Sequence, residues 1–452
     1  MNGDNTSDSF LERFYNLSEN GTDVKTEIMA GITTFITMAY ALIIIPSFLA
    51  DAGIPQEGLY TSVCLVAIIG TMLHAFYSKL PFATSPGLGL TIFFAYKVCA
   101  PVSQGGFGYT WQQGLAAVAI SGMLFVIITL TPLRKIIINA LPDCVKIAIT
   151  AGIGLFISLI GFKNSGIIVA VEGGMHFGDL RDPAVLLSIL GLFLILILMA
   201  KGVKAAILIS IAIVTIVGIP LGVTDFSGFQ AFSLPPSIAD TFFKQDFAGL
   251  LGSGGTGKAI LNIGMIILTI SMVDLFDNIG TMLAVAEKGN LYDENGDVKN
   301  FKKALLTDAI ATTLSSFLGC TTTSTYLEVC SGIAAGGRTG LSALATGVMF
   351  IIALFFSGIV GIVPGAATAP VLIVIGVLMI GAVTKLDFDD MTEAAPSFFT
   401  IALMPFTGSI AEGIAVGIIS YVILKLATGK YKEIKPAMYV LSILFMIRFA
   451  IM

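Results

Sequence analysis

Ser85-Pro86-Gly87-Leu88-Gly89 and Thr321-Thr322-Thr323-Ser324-Thr325-Tyr326-Leu327-Glu328 are the two stretches on which the reading of the fold turns. Each interrupts a long apolar segment, 81–99 in the first case and 319–333 in the second. A Pro–Gly pair breaks a helix, and a run of Thr and Ser favours extended backbone. Each segment therefore reads as a short extended stretch followed by a half-helix. The chain around them is 452 residues long, 56% hydrophobic and only 12% charged. An ordinary soluble domain carries about twice that charged share, so a soluble domain and a disordered chain are both excluded. The net charge of −5, with no basic tract, excludes nucleic acid as a partner.

The pattern reads as an all-α polytopic membrane protein with fourteen transmembrane segments between residues 28 and 427, each near the length that spans a bilayer. With the N-terminus placed in the cytoplasm, 19 of the 24 Lys and Arg residues fall on the cytoplasmic side, as the positive-inside rule requires. Both termini are then cytoplasmic, and the first span is the targeting signal. The apolar tail 436–452 is shorter than a span and lies along the membrane surface. Gly114-Leu115-Ala116-Ala117 matches Gly340-Leu341-Ser342-Ala343, and Pro142 and Pro370 open later segments at almost the same offset. The broken segments are each the third of their half. Seven spans per half give halves of opposite orientation, a 7+7 inverted repeat of the kind found in secondary transporters, whose ligands bind where broken helices meet.

Ionisable groups inside spans are costly and mark function. Asp274 and Asp277 stand three residues apart on one segment, sharing a helix face, and Glu328 stands at the second break. Asp308 and Glu412 read as interfacial carboxylates, and His74 as a polar anchor near a span end. Clustered acids raise each other's affinity for protons, which offers a route to proton coupling. Carboxylates also accept N–H bonds, and half-helix N-termini supply donors for carbonyl oxygens. Phe93 and Phe94 offer an aromatic face, although at helical spacing a Phe pair reads more naturally as packing. Gly252 to Lys258 approaches a phosphate-binding loop but has Ala259 where Ser or Thr belongs. Asp293 to Asp297 approaches a calcium loop with its glycine misplaced. Five cysteines, all in apolar stretches and without a C-x-x-C, make neither a disulfide framework nor a zinc site, and no cofactor is expected. An intramembrane aspartyl protease needs its two aspartates on separate helices, so no enzyme is expected.

Glu27 to Tyr40, Ser85 to Tyr96, Asp274-Leu275-Phe276-Asp277-Asn278-Ile279-Gly280-Thr281, Thr325 to Glu328 and Gly336 to Leu341 together resemble the hypoxanthine/guanine/adenine permeases (AzgA-like), a branch of the nucleobase–ascorbate transporter superfamily. The resemblance implies a core domain in two parts, 28–131 and 258–362, and a gate domain in two parts, 132–220 and 363–427. An N-terminal segment 1–27, an extracellular loop 221–257 and a tail 428–452 complete the chain. It also implies proton-coupled uptake of adenine, guanine or hypoxanthine by an elevator-like motion in the plasma membrane. Asp274 and Glu328 then bind the purine, with Thr91 and the backbone at Leu90 and Leu327 closing around it. Asp277 and Asn278 support the site or the coupling. The alternatives are xanthine, uric acid or uracil as substrate, or anion exchange on the related fold. Thr91, Asn278 and Val329 depart from the family's usual Asn, Thr and Ser. Gly332-x-x-x-Gly336 and Gly413-x-x-x-Gly417 allow close helix packing, within the chain or between two copies as a homodimer.

Overall fold

The computed structural model describes residues 10–104, 106–131, 141–171, 174–227, 230, 232–252, 257–293 and 298–451. The phosphate-loop and calcium-loop resemblances fall largely on residues 253–256 and 294–297, outside the described residues. Among the described residues, nine helices are long and apolar enough to cross a membrane.

Capping chemistry sets many of the helix boundaries. Asp23 accepts the Thr26 N–H at 2.9 Å and starts α1, Val24–Met38. The helix runs on through Tyr40 into α2, Ala41–Asp51. Helix α3, Leu59–Leu73, widens into a π turn at His74–Ser78. The first break then appears as strand β1, Thr84–Pro86, followed by half-helix α4, Leu88–Phe93. Thr110 and Gln113 form a reciprocal capping box for α5, Trp111–Leu130, which satisfies two otherwise orphaned amides. Helix α6 spans Asp143–Asn164, α7 Pro183–Ala200 and α8 Ala206–Gly218. Pro183 sits in the first turn of α7, where its missing N–H costs nothing. In the second half come α9, Gly257–Gly289, and α10, Phe301–Phe317. The second break is strand β4, Thr323–Thr325, with half-helix α11, Val329–Ala334. Helices α12 Gly340–Ala353, α13 Gly365–Ile380, α14 Met391–Thr407, α15 Ile410–Ala427 and α16 Pro436–Ile451 complete the chain.

One departure from the all-α expectation lies between α6 and α7. Strands β2, Ile168–Val171, and β3, Gly174–Phe177, pair antiparallel as a hairpin. Ile168-Val169-Ala170-Val171 is rich in β-branched residues, which favour extended backbone, and this segment is largely exposed. The resulting loop is ordered by its own ladder.

The helices sort into two packed sets. One comprises α1, α3, α5, α9, α10, α11 and α12; the other comprises α6, α7, α8, α13, α14 and α15. Half-helix α4 and helix α9 contact α6 across the seam between the sets. Small residues permit this closeness. A Cβ on Gly31 would stand 2.4 Å from the Ser342 carbonyl oxygen and 2.6 Å from Ala345 Cβ, so α1 and α12 meet backbone to backbone. Both glycine motifs are used inside the chain: Gly332 lies against Thr34 and Ala30, and Gly413 and Gly417 lie against Thr400 and its neighbours. Glu27, fully buried on α1, accepts the N–H groups of Arg338, Thr339 and Ser342 at 2.7, 3.1 and 3.0 Å. It thereby holds the start of α12 against α1.

Gly31→Ala is expected to overpack the α1–α12 contact and cost about 1–3 kcal/mol. Gly365→Ala, where a Cβ meets nothing within 4 Å, is expected to stay within about 0.5 kcal/mol of wild type. Thermal unfolding of the two variants in detergent checks the difference; equal midpoints contradict it.

Candidate functional site

The two breaks meet. Strands β1 and β4 pair antiparallel, with Thr84 opposite Thr325, Ser85 opposite Ser324 and Pro86 opposite Thr323. Flanking bonds extend the ladder: Tyr326 N–H to the Ala83 carbonyl at 3.1 Å, and Gly87 N–H to the Thr322 carbonyl at 2.8 Å. The Tyr326 hydroxyl donates to the Pro86 carbonyl at 2.8 Å. Glycine at 87 keeps the strands close, because a Cβ there would lie 2.8 Å from Ser324 Oγ.

A two-stranded sheet has two bare edges, and buried backbone groups must find partners. Side chains from three helices supply them. On the β1 edge, Thr71 of α3 accepts the Thr84 N–H at 3.1 Å and donates to the Thr84 carbonyl at 3.3 Å. On the β4 edge, Asn278 of α9 donates to the Thr323 carbonyl at 3.1 Å and accepts the Thr325 N–H at 3.0 Å. Its amide acts as a peptide unit of a third strand. Thr312 of α10 accepts the Thr323 N–H at 3.0 Å.

The carboxylates are arranged around this sheet. Asp274 is fully buried, accepting from Asn278 Nδ2 at 3.3 Å and lying 3.4 Å from the Thr312 hydroxyl. Asp277, one turn on, is only half-buried, with the Ser324 hydroxyl as its neighbour. Glu328 opens α11, is also half-buried, and accepts the Tyr40 hydroxyl at 2.5 Å. Leu327 beside it is 52% exposed. Leu90 and Thr91 on α4 are buried. The Thr91 hydroxyl donates to the Gly87 carbonyl at 2.8 Å and meets Thr321 Oγ1 at 2.6 Å. Phe93 and Phe94 are buried, and Phe94 packs against Gly114.

Two groups stand otherwise than the sequence suggested. Asp308 and His74 are both fully buried, not interfacial, with Asp308 Oδ1 3.2 Å from His74 Nε2. The other Asp308 oxygen accepts from Thr325 Oγ1 at 3.3 Å, so this pair reaches strand β4. Glu412 lies 3.8 Å from Lys97 Nζ and joins α15 to the end of the first broken segment. Tyr40, whose hydroxyl holds Glu328, escapes a charge-based search; its only sequence signal is its place in the Glu27–Tyr40 motif. Among the described residues, no group of three His, Cys, Asp or Glu side chains is placed to hold a metal ion.

Comparison with known proteins bears on this arrangement. Residues 25–416 match the model of a permease family, Xan_ur_permease. The chain is 41% identical to putative permease MJ0326 of Methanocaldococcus jannaschii, covering 97% of this chain and 98% of that protein. It is 39% identical to adenine permease AdeQ of Escherichia coli, covering 99% of each. It is also 39% identical to guanine/hypoxanthine permease PbuO of Bacillus subtilis, covering 97% of this chain and all of that protein. The fold is similar to the transmembrane domain of a cyanobacterial bicarbonate transporter, BicA, with a TM-score of 0.60 at 16% identity over 88% of this chain and 97% of that one. The chain belongs to the permease family and is a multi-pass membrane transporter, not an enzyme.

Proposed function

We propose that the protein takes up a purine nucleobase (adenine, guanine or hypoxanthine) together with protons, by an elevator-like motion of one helix set against the other. The observation that carries this reading is the pair of half-buried carboxylates, Glu328 and Asp277, set on different elements beside the joined strands. A purine presents N–H donors along one edge, and two carboxylates on separate elements accept them. The names of AdeQ and PbuO agree with such a ligand. An anion exchanger, the alternative raised by the likeness to BicA, would gather positive charge around the site, and acids gather here instead.

In this proposal Glu328 and Asp277 contact the base. Leu327 and Leu90 close around its edges with their backbones. Asp274 and Asn278 act from behind: they hold strand β4 in register, so Asp274 takes the positioning role and Asp277 the contact role. Thr91 likewise positions, since its hydroxyl already has two partners. One proton rides on a carboxylate while the base is bound. Tyr40 donates to Glu328 and orients it.

The proposed architecture is fourteen spans in a 7+7 inverted repeat, with the core in 28–131 and 258–362 and the gate in 132–220 and 363–427. The two packed helix sets support that division. The proposed setting is the plasma membrane, with both termini cytoplasmic.

Glu328→Gln is expected to weaken purine binding about 10- to 100-fold, the size of a charge-assisted hydrogen bond. Thermal shift of purified protein with adenine, guanine, hypoxanthine, xanthine, uric acid and uracil reads this by mass action. A variant that binds like wild type contradicts the site, and a wild type deaf to every base contradicts the ligand class.

The two aspartates are expected to separate. Asp277→Asn should abolish binding at an unchanged melting temperature, whereas Asp274→Ala should lower the melting temperature by removing one of the two acceptors of the Asn278 amide and one partner of the Thr312 hydroxyl. Uptake into proteoliposomes should follow an inward proton gradient and collapse with a protonophore. Uptake indifferent to that gradient would remove the proton from the mechanism.

A further inference from the structure

A cavity of about 320 Å³ lies away from Asp274, Asp277 and Glu328. It forms where the N-terminal segment folds over the end of α3, the loop before α10 and the loop before α12. The Lys and Arg count assigns this face to the cytoplasm. Three cations line it: Lys79, Lys299 and Arg338. Among the described residues no carboxylate is within ion-pair distance of any of them. Their hydrogen-bond partners are neutral. Lys79 donates to the Phe14 carbonyl at 2.8 Å, Lys299 to Asn20 Oδ1 at 3.1 Å, and Arg338 to the Ile333 and Gly337 carbonyls at 2.7 Å. Glu19, the one acid among the described residues of the lining, accepts from Asn16 at 2.9 Å, and the described lining carries net positive charge.

Two independent features mark this cavity as a site. Tyr15, which lines it, is 4% exposed, and its hydroxyl is buried without a hydrogen-bond partner. Burial pushes this phenol up to about 12, so it remains a neutral donor. Unpaired buried donors are rare and ask for a partner. In addition, Asn16, Lys79 and Asn300, with φ of 52°, 57° and 53°, are three of the five non-glycine residues held in left-handed backbone among the described residues. All three line the same cavity. Strain of this kind persists where surrounding structure enforces it and concentrates at ligand sites.

We propose that this cavity binds a phosphate-bearing small anion. Lys and Arg recognise phosphate by charge and by donor geometry, and Tyr15 adds a neutral donor. The volume lies at the low end of small-molecule sites, larger than inorganic phosphate needs and suited to a phosphorylated metabolite or a lipid headgroup. The Phe14 ring, with Lys79 Nζ 3.9 Å above it, adds an apolar wall. An occupant would tie residues 14–20 to the loop that follows half-helix α11, and so to the element carrying Glu328.

The test uses the full chain in neutral-lipid nanodiscs and follows the melting temperature with inorganic phosphate, AMP, GMP and adenosine, and separately in nanodiscs containing phosphatidate. AMP or GMP is expected to raise the midpoint where adenosine at the same concentration does not, in wild type and equally in Glu328→Gln. A response to phosphatidate alone assigns the phosphate to a lipid and keeps the site. Lys299→Gln is expected to weaken the response at least about tenfold, as loss of one charge-assisted bond does, and Tyr15→Phe to weaken it less. Both variants should keep the wild-type response to purine base, which shows that they fold. If no phosphate-bearing probe shifts the wild type, or if Lys299→Gln and Tyr15→Phe respond as wild type does, the proposal is overturned.

Discussion

Everything at the centre of this molecule depends on one requirement: backbone N–H and C=O groups inside a bilayer must be satisfied by the protein itself. Two three-residue strands cannot do this alone, because each has a free edge. Thr71, Asn278 and Thr312 close those edges from three helices. The same side chains reach further. Asn278 and Thr312 also approach Asp274, and Thr325 approaches Asp308, which meets His74. Sheet and buried acids therefore form one network. A change at Asp274 or Asn278 therefore disturbs the groups that hold strand β4. Networks of this kind are effective when every member is paired and fragile when one is lost.

The seam between the helix sets is bonded differently from the interior of either set. Among the described residues, polar contacts between the helix sets form a rim at the end of the first broken segment. Lys97 and Glu412 stand 3.8 Å apart, and the Tyr96 hydroxyl bridges Asn164 and Asp51 at 2.9 and 2.6 Å. Nearer the strands the contact is apolar and fitted, with Gly89 against Ile153. Apolar surfaces slide with little penalty, since no direction is preferred. The rim pairs are directional, and their breaking is a discrete event. That contrast suits a transporter whose two sets exchange arrangements.

Much of this was legible in the residues. Pro86-Gly87 and the Thr321–Thr325 run announced the two breaks, because helix-breaking and extended propensities survive in any context. The apolar count and the Lys and Arg bias announced a membrane chain. Pairing between the breaks was not legible, since hydrogen bonds across about 240 residues leave no local pattern. For the same reason His74 and Asp308 read as end-of-span groups: each alone looks interfacial, and only their meeting makes both buried. The hairpin at 168–177 was missed because a search for apolar spans passes over short exposed strands.

The departures at Thr91, Asn278 and Val329 gain a common meaning from these placements. All three residues are buried, and none has exposed surface beside Glu328 and Asp277. Asn278 uses both ends of its amide on strand β4; a threonine there would be shorter and would have to donate and accept from one oxygen atom. Thr91 links Gly87 to Thr321, bracing one half-helix against the strand of the other, where a longer Asn would have to displace the Thr321 hydroxyl. Val329 fills the first turn of α11 with apolar volume. Thr91 and Asn278 therefore bear on how firmly the two breaks are held together. In the proposed site, selectivity would follow from the placement of Glu328 relative to Asp277, both of which stand beside the strand pair.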